Sequence, residues 1–138
     1  NFSLAQFFTG SVLTQLGRGE EALLELDRFL KQNPKDPMLY MAYCFHGVAH
    51  WIMGDVSSAE MDLRQSTELY GGFHIPWLVL AVMLQELGRE SEARKAIDEA
   101  RHVEQGLTSD AVTSMLNLQF IPELADRMTN AIRQNWVD

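Results

Sequence analysis

Apolar residues recur along the chain at the spacing of one helix face, in blocks that end at glycines. Within "WLVLAVMLQEL" (Trp77–Leu87), Leu78, Ala81, Val82 and Leu84 give way to a polar edge at Gln85, a pattern that predicts a helix. "GEEALLELDRFLKQ" (Gly19–Gln32) and "ESEARKAIDEARHVE" (Glu90–Glu104) crowd charge onto one side, which predicts amphipathic helices with a solvent-facing surface. Three stretches then align with one another: "LTQLGRGEEALLEL" (Leu13–Leu26), "AHWIMGDVSSAEMDL" (Ala49–Leu63) and "LQELGRESEARKAI" (Leu84–Ile97). Each holds a glycine followed five residues later by alanine: Gly17/Ala22, Gly54/Ala59 and Gly88/Ala93. Seven residues before each glycine stands a small residue (Gly10, Gly47, Ala81), and nine after it an aliphatic (Leu26, Leu63, Ile97).

Helix pairing explains these positions. A glycine ends the first helix and permits the tight turn into the second. The small residues let the paired helices approach, and the aliphatics fill the seam between them. The glycines are 37 and 34 residues apart, and the extra three fall in "NPKDP" (Asn33–Pro37), a loop able to absorb them. Thr108 or Ser109 can cap a further helix to about Leu118. "FIPELADRMTNAIRQNW" (Phe120–Trp136) then starts a last one at Pro122, with Leu124, Met128 and Ile132 on one face.

A helix–turn–helix unit of this length, with small residues at its eighth and twentieth positions, resembles the tetratricopeptide repeat. The units are Ser3–Asp36, Tyr40–Phe73 and His74–Leu107, with Thr108–Asp138 as a degenerate pair closing the apolar end of the stack. Pro34 stands where the family's terminal proline belongs, Gly71 and Gln105 replace it, and Phe29 and Ser66 occupy a place usually held by alanine, which Ala100 keeps. The resemblance implies an all-α fold, an α–α superhelix in a single domain over 1–138. The tail, from "HIPWLVLAVMLQELGRESEARKAIDEA" onward, is similar to the C-terminal tetratricopeptide regions of bacterial class III adenylate cyclases and winged-helix regulators. The chain begins at Asn1 without a methionine, and the expectation is a piece of a larger protein.

By family register, a partner-binding groove is lined by Leu4, Phe7, Ser11, Thr14 and Gln15, then Met41, Cys44, Val48, Trp51 and Ile52. Ile75, Leu78, Val82, Gln85 and Glu86 complete it. Its middle would be apolar, with acid at one edge and Trp51 as an anchoring ring. The family's carboxylate-clamp subgroup uses Lys and Asn at these positions, and this sequence has neither there.

Charge and composition narrow the partners. A net charge of −8 is spread along the chain, which repels phosphate backbones and argues against a nucleic-acid partner. No apolar run reaches the ~20 residues of a membrane span. A single cysteine allows no internal disulfide and fits a reducing, cytoplasmic compartment.

One stretch carries candidate chemistry. "YCFHGVAHWIMGD" (Tyr43–Asp55) holds the only cysteine and two histidines four apart, His46 and His50, which share a helix face. Cys44 lies nearly opposite His46, so the three cannot converge on one ion, and no carboxylate or histidine pair elsewhere is placed to complete a metal set. The expectation is packing histidines and no metal or other cofactor. Glu20, Glu21, Glu90 and Glu92 read as first-turn acids favouring the helix dipole. No nucleophile–base pair or phosphate-cradling loop stands out, so no enzymatic activity is expected. The function that follows is a non-catalytic scaffold binding a protein or peptide, a sister domain or a second copy. Three roles stay open: a peptide-binding adaptor, a self-association element, and a regulatory appendage of a bacterial adenylate cyclase or transcriptional regulator.

Overall fold

The computed structural model describes residues 2–137, and among them the chain is all-α, with no strand. Eight helices follow in order: α1 (Phe2–Gln15), α2 (Gly19–Gln32), α3 (Leu39–Ile52), α4 (Val56–Leu69), α5 (His74–Glu86), α6 (Glu90–Val103), α7 (Ser109–Gln119) and α8 (Pro122–Asn135). They group into two compact units, Asn1–Tyr70 and Gly71–Asp138.

The turns inside the first three pairs are the same structure made three times. Gly17, Gly54 and Gly88 have φ of 77°, 83° and 75°, the left-handed region that only glycine enters without strain. After each glycine the chain closes the same two bonds. In the first turn Gly17 N–H donates to the Thr14 carbonyl at 3.0 Å and Arg18 N–H to Leu13 at 2.8 Å. Gly54 to Trp51, Asp55 to His50, Gly88 to Gln85 and Arg89 to Leu84 repeat the pattern. This is the Schellman closure, which satisfies carbonyls the helix end would otherwise leave open. The residue after the glycine then steadies the next helix. Arg18 grips Glu21 with two bonds (2.9 and 2.6 Å), Arg89 grips Glu92 likewise, and Asp55 caps α4 by accepting from Ser58 N–H at 3.1 Å. The first of these pairs is exposed and the second partly so, and such surface pairs contribute little to stability.

In the first unit, α1 pairs with α2 and α3 with α4, while α3 also packs on α2 and α1. Phe7, Phe29 and Ala42 form one buried cluster, with Phe7 5.6 Å from the Phe29 ring and 6.1 Å from Phe45. Ala22, Leu26 and Ala49 form a second. The seam works as the spacing predicts: a Cβ added to Gly10 would lie 2.6 Å from Leu26, and one on Gly47 would lie 2.1 Å from Leu63 and 3.1 Å from the Ala59 carbonyl. Gly47→Ala should therefore destabilise by ~1–3 kcal/mol from overpacking, although alanine is intrinsically the better helix former. Ala59→Leu, at the same seam with no exposed surface, should do the same. Urea denaturation checks both, and an unchanged midpoint in either variant would mean that the seam is looser than drawn. The "NPKDP" insertion falls between α2 and α3, where Asp36 accepts from Met38 N–H at 2.8 Å.

In the second unit α5 pairs with α6 and α7 with α8, and α8 also packs on α5 and α6. Thr108 caps α7 by accepting from Ala111 N–H at 3.1 Å, and Pro122 opens α8 at its first turn. Leu124, Met128 and Ile132 are buried, the side of α8 that the sequence marks as apolar.

Candidate functional site

The positions that family register assigns to a groove are mostly interior. Phe7 belongs to the Phe29 cluster, while Ser11 and Thr14 turn their hydroxyls back onto the Phe7 and Gly10 carbonyls, both at 2.8 Å. Cys44, Val48, Trp51, Leu78 and Val82 are buried. Met41, Ile52, Ile75, Gln15 and Gln85 are half-buried, and only Leu4 and Glu86 are exposed. The apolar floor expected there is therefore largely covered within the chain. In the second unit the cover is visible: Ile75, Leu78 and Val82 face Met115, Leu116, Met128 and Ile132 of the last two helices. The acidic edge is also engaged, because Arg127 donates to both Glu86 oxygens (2.7 and 2.9 Å) and Asn135 to Gln85 at 2.7 Å. Burial pushes the Cys44 thiol up to about 12, so it stays protonated.

Exposed apolar surface lies elsewhere, on α1. Leu4, Phe8, Val12 and Leu16 follow one another at intervals of four and are 47, 56, 52 and 49 % exposed. That spacing makes a single ridge along α1, with Leu16 just past its last residue. Nothing charged stands on α1, whose sequence is FSLAQFFTGSVLTQ. The signal was present in the sequence, but helical spacing does not say which face neighbouring helices will cover.

A second constellation gathers around the two histidines. His46 Nδ1 lies 2.6 Å from Asp62 Oδ2 on α4, and its Nε2 lies 2.7 Å from Asp27 Oδ1 on α2. The His50 ring stands edge-on to His46 at 4.7 Å, with its Nε2 3.8 Å from Asp62 Oδ2 and its Nδ1 3.9 Å from Asp55. Burial alone would drive His46 toward neutrality. Hydrogen bonds and charge from Asp62, then from Asp27, outweigh it and raise its pKa above the ordinary value. Asp55, exposed, is held below the usual range by its bonds with Ser58.

The expectation that no carboxylate joins the histidines is thus overturned. Asp62 directly precedes Leu63 and His46 directly precedes Gly47, the two seam residues in closest approach. Asp62 Cβ would itself lie 3.2 Å from a Gly47 Cβ. Tight helix contact at the seam carries its sequence neighbours together. Cys44, as expected, stands outside the group that could hold an ion, which is His46, His50 and Asp62. Among the described residues no helix is long and apolar enough to cross a membrane. No known protein-family model matches the chain, and no curated protein matches it.

Proposed function

We propose that the chain is a non-catalytic interaction module, built like a tetratricopeptide array, that receives an amphipathic partner helix along α1. The observation that carries this reading is the exposed Leu4–Phe8–Val12–Leu16 ridge on a helix without charge. Leu, Phe and Val at one-turn intervals are the complement of a partner helix read at i, i+4 and i+8. A protein of net charge −8 favours a partner whose polar face is basic.

The test uses a fluorescently labelled synthetic helix with leucines on one face and lysines on the other, followed by anisotropy. Wild-type protein should bind it, and Phe8→Ala should weaken binding by about tenfold or more, since a buried aromatic anchor commonly contributes ≥2 kcal/mol. Val12→Asp should abolish binding while leaving the helical circular dichroism intact, because Val12 is exposed. Equal binding by wild type and Val12→Asp would reduce the effect to charge attraction and refute the ridge. A concentration-dependent mass in wild type, lost in Val12→Asp, would instead make a second copy of the chain the occupant.

A further inference from the structure

We infer that His46, His50 and Asp62 form a site for a divalent transition-metal ion of the zinc class. Three ligands from two paired helices converge: two imidazoles one turn apart on α3 and a carboxylate from α4. The candidate ligand atoms all lie within 4.8 Å of one another. Two of their separations are 2.6 Å (His46 Nδ1 to Asp62 Oδ2) and 3.8 Å (His50 Nε2 to Asp62 Oδ2). Ligands at ~2.0–2.1 Å around a tetrahedral ion stand about 3.3 Å apart, so these distances straddle what an ion needs. Side-chain shifts of about 1 Å would bring them to it.

The outer contacts favour the same reading. An imidazole that binds metal through one nitrogen typically donates its other N–H to a carboxylate, which fixes the tautomer and strengthens the ligand. His46 meets that condition, with Asp27 2.7 Å from Nε2 while Nδ1 faces the ion position. His50 has Asp55 on its far side at 3.9 Å. Metal binding would replace the proton that lies between His46 Nδ1 and Asp62, so the hydrogen bond becomes a pair of coordinate bonds and that proton leaves to solvent. Two nitrogen donors select zinc, cobalt or nickel over magnesium or calcium, which prefer all-oxygen sets. The side chains of His46, His50 and Asp62 are 12, 25 and 15 % exposed. An ion can therefore enter, and the fourth position is left to water. Bound there, it would clamp α3 to α4, with α2 holding the ring of His46.

The experiment is calorimetric titration of ZnCl2 into tag-free, chelator-stripped 138-residue protein, with thermal melts in parallel. The expected result is one ion per chain and a melting temperature that rises with zinc. His50→Gln and Asp62→Asn should each weaken zinc by tenfold or more. Asp27→Asn, a positioning change, should weaken it by ~10–100-fold while keeping the one-to-one stoichiometry. His50→Gln removes a partly exposed ring and serves if Asp62→Asn folds poorly. No saturable binding by the stripped wild type, or undiminished binding by His50→Gln, would overturn the assignment.

Discussion

Trp51→Ala is expected to destabilise the chain by ~3–5 kcal/mol, the usual loss for a large aromatic removed from a packed interior. The ring is 1 % exposed and stands in the last turn of α3 beside Val48 and Ala49, which are equally buried. The tetratricopeptide resemblance would make the same residue a groove anchor, whose removal would leave the fold intact and weaken a partner. The two readings diverge in one measurement. Chemical denaturation of Trp51→Ala with a midpoint like that of wild type would return the ring to the groove, and a large shift to lower denaturant places it in the core.

Phe29→Ala carries the second large effect, and it runs against what the tetratricopeptide resemblance would imply. Alanine is the residue the repeat usually has there, so a consensus argument would expect a neutral or stabilising change. In this chain Phe29 is 1 % exposed, its ring 5.6 Å from that of Phe7, in a cluster that Met38, Leu39, Met41 and Phe45 complete. Removing it leaves a hole that Phe7 alone cannot fill, and ~3–5 kcal/mol should be lost. Ser66, the matching departure in the second pair, is different in kind: its hydroxyl donates to the Tyr40 carbonyl at 2.5 Å. A Phe29→Ala protein as stable as wild type would show that the aromatic cluster is not what holds α1, α2 and α3 together.

The features that could be read in advance are those written locally. A glycine at C′, a threonine before α7 and a proline at the start of α8 each act within one turn of chain, and all three appear where the sequence puts them. The pairing of Gly47 with Leu63 was legible too, because a repeat states it three times. The histidine site was not. It needs Asp27 from α2 and Asp62 from α4, residues 19 and 16 positions from His46, with no repeat to mark them. The cover over the assigned groove positions was not legible, for a related reason. Leu78 and Val82 have the spacing of a binding face, but whether such a face stays open depends on where α7 and α8 lie. Helical period fixes the stripe and leaves its cover undetermined.

The glycines of this fold should behave as two genetic classes. Gly10 and Gly47 are small because a neighbouring leucine occupies the space, so a larger residue at 47 should be suppressible by a second change that shortens Leu63, and one at 10 by shortening Leu26. At Gly54 and Gly88 nothing lies within 4 Å of the missing Cβ, and φ alone sets the requirement. No change elsewhere in the chain relieves that, and only asparagine, which tolerates the left-handed region, is a natural substitute. Selection for revertants should therefore return paired alleles at 47 and 63, and at 54 and 88 only same-site ones.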